Sequence, residues 1–379
     1  RRADRSVAVD EDYIPEAPEV EKPVDPELKK QAADAAQILA AAVRTGVENE
    51  KAEKEKRRQE RMAHTPSKED ISSLLESVRA IKLRTSSVRK PQSRRDPQDL
   101  PNRLNRHRQT RQRRTAMITA DLHTHTSFSS DSEEPMENAL SAMVEKGLKT
   151  VCFTEHMDMD YPGGEFLLDT AAYRSRLVEL REEFRGRIEV LFGVELGLMD
   201  YLAPRLREYV GAWDFDFVIG SSHLVDGIDP YYPEYFEKYD DHNGILRYFE
   251  SILANIRAFD GFDVYGHLDY IVRYCRAKAY SPAEYSDIMD EILKTLVSMG
   301  KGIELNTAGL KYGLGWAHPH PEVLKRYREL GGEIITVGSD GHKAEHYAWE
   351  FDKAEDILRD AGFKYYAVFR GRKPEFIRI

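Results

Sequence analysis

The strongest constraint on the fold is an alternation: seven short, largely apolar runs, at 118–123, 150–154, 188–195, 215–221, 264–267, 302–305 and 334–339, with helical spacing between them. Helical patterns are read at 136–146, 173–184, 245–258, 282–299, 321–330 and 350–359. Runs that short, apolar on both faces, suit parallel strands, and the intervening helices supply the crossovers that parallel pairing requires. The expected class is α/β, with an irregular (β/α)7-type, TIM-like barrel as the most economical closed arrangement.

Residues able to hold a metal fall at the C-terminal ends of these runs. The first ends in Asp121-Leu-His123-Thr-His125, the second in Thr154-Glu155-His156, the third in Gly193-Val-Glu195 and the fourth in Ser221-Ser-His223. The fifth ends in Gly266-His267-Leu-Asp269 and the last in Ser339-Asp340-Gly-His342. In a β/α barrel these ends converge on one face, so residues distant in sequence become neighbours. His123 and His125 lie two apart on an extended segment, so both imidazoles point the same way. Alone, a His-x-His pair is a weak signal. Half of the chain's 12 histidines at strand ends beside carboxylates form a strong one.

Nine candidate ligands result: His123, His125, Asp131, His156, Glu195, His223, His267, Asp340 and His342. A single catalytic zinc takes about three protein ligands, so two or three divalent ions are expected, with Zn, Mn and Fe all compatible with this donor set. Adjacent cations roughly 3.5–4 Å apart can clamp the attacking and leaving oxygens of a displacement, which suits phosphoester hydrolysis. Ser221 and Ser222 lack the Gly-x-Ser-x-Gly elbow of a serine hydrolase.

The motifs resemble those of the polymerase-and-histidinol-phosphatase (PHP) superfamily over roughly residues 118–375. His125-Thr-Ser-Phe-Ser-Ser-Asp131-Ser, Thr154-Glu-His-Met-Asp158, Gly266-His-Leu-Asp-Tyr-Ile-Val-Arg273-Tyr and Glu304-Leu-Asn306-Thr-Ala-Gly309-Leu resemble its histidinol-phosphatase branch. The resemblance implies one ion on His123, His125, Glu195 and Asp340; a second on Glu195, His223 and His267; and a third on Asp131, His156 and His342. Asp131 stands where some members have His, and Glu155 where many have Asp. The resemblance further implies a phosphate-recognition role for Arg273, with Asn306 and Lys311 near the substrate's polar end. Glu195, Asp340, His267 and Arg273 are the expected catalytic set, Asp340 or His267 being the candidate proton donor to the leaving alkoxide. The implied activity is a metal-dependent phosphoric monoester hydrolase converting L-histidinol phosphate to L-histidinol and phosphate in histidine biosynthesis. The alternative keeps the site and changes the substrate to a nucleotide, a phosphotyrosyl peptide or a short nucleic acid. His318 and His320, flanking Pro319, read as loop or capping residues, and His242 and His346 as surface ones.

Composition sets the domain boundary. Residues 1–116 contain one aromatic, Tyr13, and all three tryptophans lie beyond them. Aromatics bring the largest apolar burial per residue, so the first segment has little to set against its chain entropy. It is expected to be a charged, largely disordered or short-helical extension, with residues 117–379 forming the barrel. Charge divides at the same place: 27 Lys+Arg against 20 Asp+Glu in residues 1–116, and 29 against 46 after them. An acidic barrel is not expected to bind nucleic acid. The basic run from Arg103 to Arg114 suits a solvated linker and also leaves room for a partner. Two isolated cysteines, Cys152 and Cys275, point to a reducing compartment, and no run is long enough to span a membrane, so a cytoplasmic location is expected, with a small phosphorylated molecule as the substrate.

Overall fold

The computed structural model describes residues 118–275 and 280–379, all within one of the two units into which the chain divides, Ile81–Ile379. The extension expected over residues 1–116 lies outside the described residues.

The chain runs through β1 (Ala120–Thr124), α1 (Met136–Glu145), β2 (Thr150–Phe153), β3 (His156–Met157), α2 (Thr170–Glu183), β4 (Glu189–Gly197), α3 (Ala203–Gly211) and β5 (Phe217–Ser221). It continues through α4 (Pro233–Lys238), α5 (Asp241–Ala258), β6 (Val264–Tyr265), a 3₁₀ turn (Tyr270–Tyr274), α6 (Ser286–Ser298), β7 (Gly302–Asn306) and α7 (Ala308–Lys311). The last elements are α8 (Pro321–Glu329), β8 (Ile335–Gly338), α9 (Phe351–Asp360), β9 (Tyr365–Arg370) and β10 (Lys373–Arg378).

All seven expected strands are present, parallel, in the order β1-β2-β4-β5-β6-β7-β8. β3 extends the sheet beside β4 with His156 opposite Glu195. β1 and β2 are buried along their whole length and β4 from Val190 onward, the signature of strands covered on both faces. The helices bury one stripe each: α1 buries Met136, Ala139, Leu140 and Met143, at the spacing of one helical face. Asp169 and Asp240 accept from Ala172 and Asn243 backbone N–H groups and so cap α2 and α5.

The ring closes between β1 and β8 just above their ends. Asp340 N donates to His123 O at 2.9 Å and His125 N to Gly341 O at 2.9 Å. Below this seam the buried Asp121 carboxylate accepts from Ser339 N, Ser339 Oγ and Ala348 N at 2.9, 2.6 and 2.8 Å. The parallel β1–β2 register is irregular between Asp121 and Thr124, the stretch that carries His123. Such irregularities re-aim side chains next to active sites.

The C-terminal hairpin β9–β10, which the strand pattern did not predict, covers the opposite mouth. Arg372 bonds the Asp263 carboxylate at 2.5 Å and Gly261 O at 2.6 Å, and Arg370 pairs with Glu189 at 2.6 Å. Asp263 and Glu189 stand at the N-terminal ends of β6 and β4, so this end is stapled shut. Arg372→Ala leaves a buried carboxylate with its charge partner removed. It should lower the unfolding free energy by roughly 2 kcal/mol, a buried-pair loss discounted for the partial exposure of the arginine. Denaturant unfolding measures this, and a loss under about 0.5 kcal/mol would show the staple to be energetically idle.

Candidate metal centre

The open face of the barrel is organised around one carboxylate. Glu195, fully buried inside β4, has Oε2 at 3.2 Å from His123 Nε2, 3.4 Å from His125 Nε2 and 3.0 Å from His156 Nδ1. Its Oε1 lies 3.3 Å from His223 Nε2 and 3.0 Å from His267 Nε2, and accepts from Ser221 Oγ at 2.7 Å. Five imidazoles from four different strand ends, two of them from β1, therefore meet one carboxylate. Asp340 is brought in by a left-handed backbone (φ 49°), which Asp tolerates better than most residues. Its Oδ1 stands 3.9, 3.7 and 3.6 Å from His123, His125 and His342. Asp131, at the solvent-facing rim, approaches His342 at 3.1 Å and His156 at 3.6 Å.

Ligand-forming atoms fall into overlapping groups within 4.8 Å of one another: His123 with His125 and Glu195; His156 with Glu195 and His223; His123 with His267 and Asp340; His125 with His156 and His342. Buried nitrogens of His123, His125, His156 and His342 and Oε2 of Glu195 have no hydrogen-bond partner. Buried polar atoms left so, and aimed at one another, fit divalent cations. All nine expected ligands thus stand in one continuous cluster, with His267 reaching toward the His123–Asp340 group as well as toward Glu195.

The rings are held from behind. Glu304 Oε1 takes His123 Nδ1 at 2.7 Å, Asp158 Oδ2 takes His223 Nδ1 at 2.7 Å, and Ser129 Oγ meets His125 Nδ1 at 3.2 Å. Orienting partners of this kind fix tautomer and basicity. Two glycines make room for them: a Cβ on Gly338 would collide with Glu304 and His123, and one on Gly197 with the Asp158 carboxylate. Glu155 ties the loop after β1 in place, accepting from Thr126 Oγ1 and Ser129 Oγ at 2.6 Å each.

Charge among these side chains is finely opposed. Burial pulls the His123 ring toward neutrality, but Glu304 and Glu195 outweigh it and hold the pKa well above the usual value. Burial opposes the His223 proton too, yet Asp158 and Glu195 raise its pKa to about 10. His125 is driven the other way by burial and by neighbouring His156 and His342. Burial would push Glu195 up, but the imidazoles of His123, His223 and His156 hold it well below the carboxylate range.

Beyond the cluster, Arg273 lies in the 3₁₀ turn after β6, its guanidinium 3.9 Å from the Tyr270 ring centre. Tyr270 in turn lies 4.9 Å from the His267 ring. Lys311 Nζ donates to Asp340 O at 3.3 Å and so borders the site. Asn306 is fully buried with both ends of its amide engaged, Nδ2 to Glu304 at 3.2 Å and Oδ1 accepting from Ala308 N at 2.9 Å. His320 caps α8 as expected, accepting from Glu322 N. His318 differs from its loop reading: it is fully buried, with Nδ1 2.5 Å from Asp269 Oδ1. His346, read as a surface residue, is half-buried.

A PHP domain matches residues 121–308. The chain is 32% identical over 260 residues to the histidinol-phosphatase of Lactococcus lactis subsp. lactis, spanning 68% of this chain and 96% of that protein. It is 22% identical over 300 residues to the histidinol-phosphatase of Saccharomyces cerevisiae, 63% of this chain and 88% of the relative. The crystal structure of the Lactococcus lactis histidinol phosphate phosphatase complexed with Zn, L-histidinol and phosphate matches with a TM-score of 0.64 at 31% identity, covering 68% of this chain and 98% of that one.

Two outcomes follow from the geometry. Glu304→Gln should weaken zinc binding about 10- to 100-fold, as losses of orienting partners do; a chelator competition showing unchanged affinity would mean His123 is oriented without it. Because His223 holds its proton up to about pH 10 in the metal-free protein, zinc must displace that proton. Affinity should therefore rise from pH 6.5 to pH 8, with proton release measurable in weakly buffered solution. Loading without proton release would show the rings already neutral.

Proposed function

The chain belongs to the PHP-domain family of histidinol-phosphatases, and from that premise we propose that residues 117–379 form a metal-dependent phosphoric monoester hydrolase that cleaves L-histidinol phosphate to L-histidinol and phosphate. The observation that carries this reading is the pairing of a multi-imidazole centre on Glu195 with a nearby, partly buried guanidinium, Arg273. The donor set fits two or three divalent ions, with His123, His125, Glu195 and Asp340 holding one, Glu195, His223 and His267 a second, and Asp131, His156 and His342 a third. Such ions, when bound, supply positive charge to phosphoryl oxygens and make water a competent nucleophile near neutral pH.

The chain's own residues do the rest. Arg273 offers planar N–H donors to the phosphoryl oxygens. Lys311, beside Asp340, adds a second cation at the substrate's polar end. Asn306 acts through Glu304, whose other oxygen holds the His123 ring. Asp340 and His267 are the groups placed to protonate the leaving alkoxide, since both border the cluster and neither is consumed by structural hydrogen bonds on every side-chain atom. Glu304, Asp158 and Ser129 hold rings so that little reorganisation is needed as charge develops.

Among the described residues no helix is long and apolar enough to cross a membrane, and both cysteines are buried free thiols. We place the enzyme in the cytoplasm on the grounds of those thiols and of its biosynthetic substrate. A partner for the basic segment before residue 117 is part of the same reading.

The test is a substrate panel on metal-loaded protein. Histidinol phosphate should be turned over in preference to nucleotides, a phosphotyrosyl peptide and short oligonucleotides, and chelation should abolish activity. Arg273→Met should raise KM for histidinol phosphate at least tenfold, as expected for losing a charge-assisted contact of about 1.5–3 kcal/mol. Turnover of a panel member but not of histidinol phosphate would replace the substrate and keep the site.

A further inference from the structure

Among the described residues Arg273 is a partly buried cation without a carboxylate partner. No carboxylate among the described residues forms an ion pair with it, and its buried Nε and one terminal nitrogen have no hydrogen-bond partner. Many other arginines of this barrel are paired with carboxylates, as Arg174 is with Asp214, Arg247 with Asp226 and Arg326 with Asp290, while Arg187 lies at the surface over the Phe184 ring. What surrounds Arg273 is three aromatic faces. Its guanidinium carbon lies 3.9 Å from the ring centre of Tyr270, 4.9 Å from that of Tyr274 and 4.6 Å from that of Tyr312.

Aromatic faces attract a cation through the ring quadrupole without cancelling its charge. A carboxylate in the same place would occupy the N–H donors and compete with any incoming anion. Tyr270 and Tyr274 are fixed to each other, hydroxyl to hydroxyl at 3.1 Å with their planes at 73°, and so form two walls. Tyr270 also lines the metal-ligand side, 4.9 Å from the His267 ring and 6.0 Å from the His223 ring. The third wall, Tyr312, directly follows α7 and is 55% exposed. A large aromatic so exposed, set over a guanidinium, is poorly explained by core packing.

We propose that Tyr270, Tyr274 and Tyr312 are positioning residues that hold Arg273 un-neutralised and oriented for a dianionic phosphoryl group, and that Tyr312 tunes how tightly that group is held. The proposal rests on the reading of Arg273 as the phosphate-recognition residue. It adds the reason why this arginine is available: tyrosine rings take the place of a carboxylate partner. The bound class is thereby specified as a terminal phosphate, whose two charges exceed what a single exposed lysine would balance.

Tyr312 is the residue to vary, because its exposure separates function from folding. In the full, metal-loaded chain, with metal content measured for each variant, Tyr312→Leu should raise both KM for histidinol phosphate and Ki for inorganic phosphate about fivefold. That factor corresponds to about 1 kcal/mol, the scale of one cation–π face. Its kcat should stay within about twofold. Tyr312→Phe should restore KM and Ki to within about twofold of the parent, since the ring and not the hydroxyl faces the guanidinium. Unchanged KM and Ki in Tyr312→Leu, or equal impairment in Tyr312→Phe, would overturn the proposal. Arg273→Met separates the two levels: if phosphate Ki is unaffected there while turnover persists, the positioning proposal falls and the phosphatase reading stands. If the parent fails to turn over histidinol phosphate, the phosphatase reading falls, and calorimetric titration of inorganic phosphate into the same variants still decides for or against the tyrosine bracket by the same fivefold difference.

Discussion

A carboxylate sealed inside a barrel strand is costly unless it is paired, and the structure turns on how Glu195 meets that cost. Its partners cannot come from its own strand, where neighbours on the inward face are Gly193 and Gly197. They come from the ends of other strands, which converge only if the barrel closes in this register. Five imidazoles around one carboxylate exceed what charge balance needs, and the surplus shows in His125, whose proton is expelled by burial and by the neighbouring rings. Crowding of like groups is resolved when divalent cations replace the protons, so the cluster is strained as a set of side chains and coherent as a set of ligands.

Closure of the ring and construction of the site are therefore one event. The bond from Asp340 N to His123 O that joins β8 to β1 also sets the separation of two ligands. The left-handed turn at Asp340 and the missing Cβ of Gly338 serve the same junction, one aiming a carboxylate inward and the other making space for Glu304 behind His123. The opposite end is built on a different principle. There arginines of the terminal hairpin bind carboxylates at strand starts, in the pairs Arg370–Glu189 and Arg372–Asp263. Paired charges close one mouth of the barrel, and buried polar atoms without partners line the other.

The sequence discloses this division unevenly. Strand positions and the strand-end side chains that cluster around Glu195 are legible because both are local signals: an apolar run such as 150–154, then a His or carboxylate at its end. The groups that orient those ligands are not, since Glu304 and His123 are 181 residues apart and Asp158 and His223 are 65 apart. Glu304 does carry one local sign, a carboxylate between Ile303 and Leu305 in a fully buried strand, which has no reason to be there unless something polar faces it. His318 misleads for the same cause. Beside Pro319 it reads as a helix entry, while its burial depends on Asp269, 49 residues earlier. The hairpin β9–β10 escapes the pattern because β10 is largely exposed and alternates charged with apolar residues, unlike the buried runs that define the barrel. α3 and α4 are short, and each carries a proline in its first turn, Pro204 and Pro233, that reads as a break in the sequence.

Two kinds of positive charge then meet at the open face, and they differ in what controls them. The charge of the metal centre is conditional: it depends on ion supply and on pH, because protons on His123, His156 and His223 compete for the same lone pairs. The charge of Arg273 is unconditional, since a guanidinium does not titrate in the working range. An enzyme that relied on metals alone would lose substrate affinity and chemistry together as ions became scarce. In the proposed reading, a fixed cation one aromatic ring away from His267 would separate capture from cleavage: Arg273 would hold the phosphate whatever the state of the cluster, while hydrolysis would wait on the ions. Keeping that cation free of carboxylates is what the separation requires, and the tyrosine faces satisfy the requirement without adding a competing negative charge.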